Sequence, residues 1–267
     1  MIELRTDFQD FFKGKDAFDE ILNLQGEIFR QHKNRKTLRI TKDDKGYFIK
    51  IHRKVGWGEI LKNLLNLRLP VLGAKNELHA IRKFEELGIE TMKVVGYGER
   101  GLLPAWLDSF LITEELENSI SLENFCKGWK SNPPDFNLKL SLILKIADIA
   151  RRLHQNGINH RDFYICHFLL DLNSLRENNS LRVYLIDLHR VQMRKHTPQR
   201  WIIKDLSGLF FSSMDIGLTR RDLFRFMKAY SGKPLRTLLK DEQDFWNQVS
   251  KRAVTLYQKH FSWLPEF

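Results

Sequence analysis

The chain has 267 residues, of which 42% are hydrophobic and 12% aromatic, so it can bury one large core or two lobes, and intrinsic disorder is excluded. Its net charge of +11 indicates an anionic partner, which could be a phosphorylated substrate, a membrane surface, an acidic protein or nucleic acid. No apolar run reaches the roughly 18 residues of a membrane span and no signal peptide is evident at the start, so a cytoplasmic location is expected.

The first predicted feature is a β-hairpin. Alternating residues over 37–41 and 47–52 predict two strands joined by a polar turn at 43–46. Lys50 lies on the second strand, and Ile49 and Ile51 point the other way, under the sheet. Ten basic residues crowd into this region: Arg30, Lys33, Arg35, Lys36, Arg39, Lys42, Lys45, Lys50, Arg53 and Lys54. They form either a solvated basic face or an anion site.

Two helices and two strands follow the hairpin. Apolar spacing predicts an inserted helix over about 57–69, with core packing as its commonest explanation and a membrane interface as the alternative. A second helix from about Lys75 to Leu87 carries Glu77 near its start. Strands are predicted around 92–98 and 109–114.

The composition becomes helical after Asn118. One apolar face over 142–153 predicts a long helix that Gly157 terminates. The loop after this helix contains His160, Arg161 and Asp162. Short strands are predicted around 168–172 and 181–186, with Asp187 directly after the second, and helices around 202–214, 220–230 and 241–261.

Four residues stand in an order that matches the protein-kinase signature. They are a strand lysine, a helix glutamate, a loop aspartate after a long buried helix and an aspartate at a strand end: Lys50, Glu77, Asp162 and Asp187. Each alone is a weak signal, and their joint order on the right elements carries the inference. The predicted fold class is α+β, a protein-kinase-like bilobal fold. Residues 1–116 would form an N-terminal lobe of antiparallel sheet with an αC-type helix, and residues 117–267 a mainly helical C-terminal lobe with a catalytic loop at 158–170.

This signature assigns each of the four residues a chemical role. Phosphoryl transfer requires positioning and neutralisation of negative charge rather than covalent chemistry. Lys50 would contact the ATP phosphates and be held by Glu77. Asp162 would accept a hydrogen bond from the acceptor hydroxyl and take its proton. Asp187 would bind Mg²⁺, which prefers hard carboxylate ligands.

Five further residues are predicted to support the site. Glu114 and Leu116, at the end of the last strand of the N-terminal lobe, are candidate contacts to ATP. His160 and Arg161 are expected to hold the catalytic loop rather than to touch substrate. Asp205 is expected to be a buried carboxylate that hydrogen-bonds the backbone of that loop.

Two features depart from the protein-kinase pattern. Protein kinases have asparagine five residues after the loop aspartate as a second metal ligand, and this chain has His167, although imidazole is a poor ligand for Mg²⁺. His167 is a candidate metal ligand, with a phosphate contact, coordination through water or simple packing as alternatives. No GxGxxG precedes Lys50, and residues 28–39 contain no glycine, so basic side chains could cover the phosphates instead.

Several long stretches of the chain resemble the lipopolysaccharide core heptose(I) kinase family, and together they cover nearly its whole length. The most specific is 157–170, with Tyr164-Ile165-Cys166-His167 after the catalytic aspartate; the others are 46–52, 56–65, 69–74, 186–190 and 215–222. The resemblance implies an enzyme of Gram-negative bacteria that transfers the γ-phosphate of ATP to O4 of the first inner-core heptose. It also implies that Asp162 is the catalytic base and that His167 belongs to the family's own motif.

The resemblance further implies the partners. The acceptor would be heptose-Kdo-lipid A, a polyanion that a basic surface would attract while holding the protein peripherally at the cytoplasmic face of the inner membrane. The family is also associated with acyl carrier protein, a small acidic partner. Nucleic acid is not an expected partner, because aromatic residues are not interleaved with the basic stretch.

Two alternatives remain open from the sequence. A different small-molecule phosphotransferase of kinase-like fold, resembling those acting on aminoglycosides or choline, would share the loop and metal aspartates. A catalytically weak, anion-binding pseudokinase would account for His167 and for the missing glycine-rich loop.

Overall fold

The chain divides into two compact units, one formed by residues 1–86 with 91–117 and the other by 87–90 with 118–267. A computed structural model describes residues 1–32, 34–58, 73–175 and 181–264. Apart from its first two residues, the helix predicted over about 57–69 lies outside this described part. No helix within the described ranges is long and apolar enough to cross a membrane.

The first unit is built on a six-stranded antiparallel sheet with the spatial order β1-β5-β6-β4-β3-β2. Its strands are β1 (Ile2–Leu4), β2 (Glu27–His32), β3 (Arg35–Lys42), β4 (Lys45–His52), β5 (Val94–Arg100) and β6 (Asp108–Glu114). The predicted hairpin is confirmed as β3 and β4, which pair with Lys42 opposite Lys45. Asp43 and Asp44 both have positive φ, as a two-residue hairpin turn requires.

Strand β4 lies inside the sheet, between β3 and β6, and this position gives its two faces different environments. Ile49 and Ile51 are buried in the core, and the intervening Lys50 points to the opposite face. The register pairs Lys50 with Thr37, so Arg35 and Arg39 of β3 share the face of Lys50. A basic face therefore lies on one side of the sheet and the apolar core on the other.

Three helices of the first unit lie within the described ranges: α1 (Thr6–Phe11), α2 (Ala17–Asn23) and α3 (Lys75–Glu86). The first two were not predicted from the sequence. Phe8 of α1 and Phe18 of α2 are buried in one cluster with sheet residues such as Phe110. Helix α3 is the predicted glutamate-bearing helix, and its buried side includes Glu77, Ile81 and Phe84.

The second unit is mainly helical. Its helices are α4 (Leu122–Phe125), α5 (Phe136–Gln155), α6 (Gln199–Ser212), α7 (Arg220–Ser231), α8 (Leu235–Asp241) and α9 (Gln243–Phe261). Its strands are β7 (Ser119–Ser121), β8 (Ile158–Asn159), β9 (Phe168–Asp171), β10 (Val183–Leu185) and β11 (Gln192–Met193), arranged in small sheets β10-β9-β7 and β11-β8. The strands and turns after α5 position the loop at 160–162.

Gly157 makes the close approach of β8 and β11 possible. It has a φ of +75° just beyond the end of α5, and a Cβ added there would lie 1.8 Å from the carbonyl oxygen of Arg194. The Arg194 N–H donates to the Gly157 carbonyl at 2.9 Å. Glycine is required here by both conformation and space, and the turn leads directly into the loop at 160–162.

A cavity of about 220 Å³ lies among the helices of the second unit. Its lining is predominantly apolar and includes Leu142, Ile146, Leu209 and Val249. Burial raises the pKa of Cys126, which also borders the cavity, to about 12. This environment therefore suits an apolar occupant better than a charged one.

Candidate functional site

Lys50 and Glu77 form an ion pair in the first unit. The Nζ atom of Lys50 on β4 lies 2.5 Å from Oε1 of Glu77, in the first turn of α3. Only 1% of the Glu77 side chain is exposed, against 24% for Lys50, so the carboxylate is buried beneath the ammonium group. The second carboxylate oxygen has no hydrogen-bond partner among the described residues. This arrangement holds the Lys50 charge in a fixed position at the surface of the sheet.

Glu114 and Leu116 lie at the end of β6 in the same unit. The carboxylate of Glu114 accepts a hydrogen bond from Nη1 of Arg5 at 2.5 Å. Bonds from Arg5 to Asp7 and to Glu114 raise the pKa of the guanidinium. Leu116 is half-buried two residues farther on. Because the Glu114 side chain is engaged by Arg5, contacts to ATP from this segment would fall to its backbone and to Leu116.

The catalytic loop of the second unit is held from below by a buried carboxylate. Asp205 on α6 is fully buried and accepts hydrogen bonds from the backbone N–H groups of His160 at 2.6 Å and Arg161 at 2.8 Å. Arg161 has a φ of +76°, a strained conformation for an L-residue that these bonds stabilise. His160 is also buried, and burial lowers its pKa. The structure thus buries the His160 side chain within the loop and places the Asp205 carboxylate against the loop backbone.

Asp162 projects from this loop and is paired with an arginine. Nη1 of Arg190 lies 2.9 Å from Oδ1 and 3.0 Å from Oδ2 of Asp162, whose side chain is 17% exposed. Charge-assisted hydrogen bonds fix the orientation of the carboxylate, and each oxygen retains capacity for another donor. An acceptor hydroxyl could therefore still donate to Asp162.

Asp187 follows β10 in the left-handed conformation, with φ of +63°. Its Oδ1 lies 2.6 Å from Nδ1 of His189, and its Oδ2 lies 3.5 Å from Nε2 of His167. Non-glycine residues with positive φ are uncommon and concentrate at functional sites. The backbone conformation is consistent with a role for this carboxylate beyond packing.

His167 lies between the two aspartates. Its Nδ1 donates to the backbone carbonyl of Asp162 at 2.7 Å, which orients Nε2 toward Asp187. Burial lowers the pKa of His167, but the interactions with Cys166, the Asp162 carbonyl and Asp187 outweigh burial and raise the pKa to about 9. The structure therefore places His167 next to Asp187.

The donor groups around Asp187 are compatible with Mg²⁺ shared with a nucleotide. The described ranges contain no cluster of three or more His, Cys, Asp or Glu residues that could hold a metal ion by themselves. Magnesium in phosphoryl-transfer sites needs only one or two protein carboxylates, because waters and substrate phosphates fill its other positions. Asp187, a partly exposed hard carboxylate, fits that requirement.

Two residues near the aspartates were missed as functional candidates from the sequence. His189 and Arg190 lie in the short 3₁₀ helix Leu188–Arg190 directly after Asp187, and they contact Asp187 and Asp162 respectively. The available signal was a pair of basic residues following a strand-end aspartate. Arg190 and Asp162 are 28 positions apart, so the sequence could not show their contact.

The sheet with its lysine–glutamate pair and the helical unit with its two aspartates define the chain as a phosphotransferase of protein-kinase-like fold. Residues 19–230 match the lipopolysaccharide kinase (Kdo/WaaP) family, and the chain belongs to this family.

Relatives of this chain are similar to it over nearly their whole length. It is 49% identical over 259 residues to lipopolysaccharide core heptose(I) kinase WaaP of Escherichia coli strain K12, covering 97% of this chain and 98% of the relative. It is 46% identical over 256 residues to the WaaP of Pseudomonas aeruginosa, covering 96% of each. A solved structure of WaaP in complex with acyl carrier protein matches with a TM-score of 0.81 at 41% identity, covering 96% of this chain and 99% of that chain. The predicted family and fold class are confirmed.

Proposed function

We propose that this kinase phosphorylates O4 of the first heptose of the lipopolysaccharide inner core, with ATP as the phosphate donor. The observation that carries the proposal is the 46–49% identity, over nearly the full length, to kinases that are named for this heptose. The proposed catalytic residues also lie on elements and in contacts that suit phosphoryl transfer.

Asp162 is the proposed catalytic base. Its carboxylate accepts the hydrogen bond of the acceptor hydroxyl and takes the proton as the hydroxyl oxygen attacks the γ-phosphorus. Arg190 holds the carboxylate through both of its oxygens, and Asp205 holds the backbone of the loop. These contacts keep Asp162 in one orientation before the acceptor arrives.

The proposed phosphate contacts come from Lys50 and the basic face of the sheet. Glu77 fixes Lys50, and Arg35 and Arg39 lie on the same face. Arg39 is also bound to Glu115 at 2.8 Å, so its charge is partly compensated. Basic side chains would thus contact the phosphates in place of the backbone amides of a glycine-rich loop.

Asp187 is the proposed ligand of Mg²⁺, with His167 beside it as a second candidate. The bound ion would neutralise charge on the phosphate groups. His189 lies 2.6 Å from one oxygen of Asp187, and His167 lies 3.5 Å from the other. Glu114 and Leu116 remain proposed contacts to ATP.

A panel of acceptors tests the proposed substrate. Labelled ATP is incubated with the chain and heptose-terminated core, an aminoglycoside or choline in parallel. Transfer to the heptose-terminated core alone is expected. Transfer to another acceptor instead would favour the broader phosphotransferase class, and ATP binding without any transfer would favour a pseudokinase.

The proposed site of action is the cytoplasmic face of the inner membrane, where the acceptor heptose-Kdo-lipid A is anchored. The net charge of +11 supports attraction to a polyanionic acceptor and to an anionic surface. Flotation with vesicles of anionic and of neutral lipids tests this, with binding to the anionic vesicles only as the expected result. Equal recovery with neutral vesicles would contradict it.

Acyl carrier protein is the proposed protein partner. A related WaaP has been solved in complex with it, and the basic charge of this chain suits an acidic partner. The apolar cavity of the helical unit could accommodate an acyl chain. Acylated carrier protein is therefore expected to raise the melting temperature of this chain more than the unacylated form does. Equal shifts would remove the cavity from the proposal.

A further inference from the structure

Four cations surround one tryptophan in the helical unit. The charged centres of Arg161, Arg194, Arg200 and Lys204 lie 5.4, 5.8, 5.3 and 5.6 Å from the centre of the Trp201 ring. These four side chains, the Trp201 cluster, come from the loop at 160–162, from the segment after β11 and from the first two turns of α6. Attraction to the indole face offsets part of the repulsion among them.

The Trp201 cluster has no direct carboxylate partner within the described part of the chain. No ion pair within 4.0 Å joins any of its members to an acid among the described residues. Arg194 donates instead to the neutral side chains of Asn159 and Gln192, each at 2.6 Å. Nε of Arg161 has no hydrogen-bond partner within the described part of the chain.

The nearest acidic residues are already engaged. Asp162 is bound by Arg190, and Asp205 accepts from the loop backbone. The sequence from Leu188 to Lys204 contains no Asp or Glu. The cluster therefore presents excess positive charge immediately beside the proposed catalytic base.

Burial and neighbouring cations lower the pKa of two members of the cluster, Arg161 and Lys204, and Asp162 and Asp205 offset part of this effect. Burial, followed by the neighbouring Arg161, lowers the pKa of Lys204. Burial, followed by Arg190, also lowers the pKa of Arg161. Arg200 lies in the first turn of α6, which has no acidic residue, so the helix dipole adds to the repulsion there. An anion placed among these groups would relieve the repulsion.

We propose that the Trp201 cluster binds a carboxylate or phosphate group of the acceptor, carried on a sugar next to the one that is phosphorylated. This inference rests on the proposed function and extends it, because it assigns residues that select an acidic oligosaccharide over a neutral sugar. Arginine suits the task, since its planar fork matches carboxylate and phosphate oxygens. Arg161, which the sequence predicted only to hold the loop, adjoins Asp162 in the chain, so an anion held by the cluster would lie close to the proposed catalytic base.

Removal of the charges of Arg194 and Lys204 tests the proposal without touching Asp162 or Arg190. The variants are Arg194→Gln, Lys204→Gln and their combination. Arg236→Gln/Lys251→Gln, at two exposed positions in α8 and α9, removes the same charge elsewhere. Lys204→Arg keeps the charge. Each is assayed with the acidic core oligosaccharide and with its carboxyl-reduced, dephosphorylated counterpart.

The expected result is a change confined to the acidic acceptor. Its KM rises about tenfold for each charge removed, as expected for loss of one charged hydrogen bond, and kcat and the KM for ATP stay the same. The neutral counterpart, the control double variant and Lys204→Arg show no such rise. An equal rise for both acceptors, or for the control double variant, would overturn the proposal.

Binding measured without turnover separates this proposal from the proposed function. Calorimetric titration of the acidic oligosaccharide, or of inorganic phosphate, into Asp162→Asn should show weaker oligosaccharide binding once Arg194→Gln and Lys204→Gln are added. Weaker binding of phosphate but not of the oligosaccharide would overturn the acceptor assignment. Failure of the wild type to phosphorylate heptose would instead refute the proposed function, and the titration would still report on the cluster.

Discussion

The contact between Arg190 and Asp162 gives a specific expectation at the scale of single residues. One nitrogen of Arg190 bonds both carboxylate oxygens, so loss of Arg190 frees Asp162 to rotate. Arg190→Gln should lower kcat by roughly 10- to 100-fold with little change in the KM for ATP, because orientation rather than nucleotide binding is lost.

Arg190→Lys provides the matched comparison. A lysine retains the charge and a donor, so part of the lost kcat should return. Steady-state kinetics of the wild type and both variants measures this. An unchanged kcat in Arg190→Gln would show that Asp162 does not depend on Arg190.

Variants of the Lys50–Glu77 pair distinguish its contribution to stability from its contribution to phosphate transfer. Lys50→Met leaves the buried Glu77 carboxylate without its cation and should lower the free energy of unfolding by about 1–3 kcal/mol. Lys50→Met/Glu77→Gln removes both charges and should recover most of that stability, whereas neither variant should transfer phosphate. Denaturant unfolding and the transfer assay measure the two properties. If the double variant regained activity, a role of Lys50 at the phosphates would be wrong.

At the scale of secondary-structure elements, α7 depends on one buried aspartate. Asp222 forms a capping box with Thr219, and its Oδ2 lies 2.8 Å from Nζ of Lys139 on α5. Burial raises the pKa of Asp222, but the bonds to Lys139 and Thr219 outweigh burial and lower the pKa to about 2. Because the folded-state pKa is depressed, the stabilisation is present above about pH 4 and is lost as pH falls toward 2.

Asp222→Asn should therefore unfold more easily than the wild type at pH 7, by about 2 kcal/mol. The difference should shrink as the pH is lowered from 4 to 2, because the wild-type carboxylate becomes protonated as the pH approaches its pKa of about 2. Thermal or urea unfolding across this pH range measures it. A difference that stayed constant down to pH 2 would contradict the assigned ionisation.

Substitution of Gly157 and of Gly232 distinguishes two reasons for glycine, a left-handed backbone conformation and a lack of space for a side chain. Their φ values are +75° and +68°, but only Gly157 has a neighbour within 4 Å of an added Cβ. Gly232→Ala should cost about 1 kcal/mol of stability for the left-handed backbone alone. Gly157→Ala should cost more and should also lower transfer, because β8 leads into the catalytic loop. Equal losses of stability in the two variants would show that contact with Arg194 is unimportant.

The elements with strong patterns could be predicted from the sequence, and those that depend on tertiary packing could not. Alternation in β3 and β4 and the apolar stripe of α5 are local signals, so the hairpin and the long helix were predicted. Helices α1 and α2 have six and seven residues, and buried Phe8 and Phe18 anchor them to the sheet. Helices so short have little intrinsic stability, so the N-cap Asp16 and the i, i+3, i+4 spacing of Phe18, Ile21 and Leu22 are weak signals for α2.

The candidate site also contains residues that could be predicted from the sequence and contacts that could not. Lys50 and Glu77 stand on well-patterned elements, and their contact followed from the order of the kinase signature. The bond from Arg190 to Asp162 and the grouping of cations at Trp201 arise from long-range approach and have no local periodicity. Such contacts are visible only in three dimensions.

At the scale of the whole molecule, the charge and the family agree on an anionic acceptor. A net charge of +11 is unnecessary for binding ATP alone, and family members that match nearly the entire chain are named for a sugar of lipopolysaccharide. Both units carry residues of the proposed mechanism: Lys50 and Glu77 in the first, Asp162 and Asp187 in the second. The proposed function therefore depends on transfer of phosphate to heptose with Asp162 as the catalytic base.

The most direct test measures phosphate transfer from labelled ATP to heptose-terminated core by the wild type and Asp162→Asn. Asp10→Asn, which changes an exposed carboxylate, is the matched control, and thermal unfolding verifies that all three proteins are folded. The wild type and Asp10→Asn should label the heptose, and Asp162→Asn should be slower by about 10²- to 10⁴-fold. Equal transfer by the wild type and Asp162→Asn would contradict the proposed mechanism, and no transfer by the wild type would contradict the proposed function.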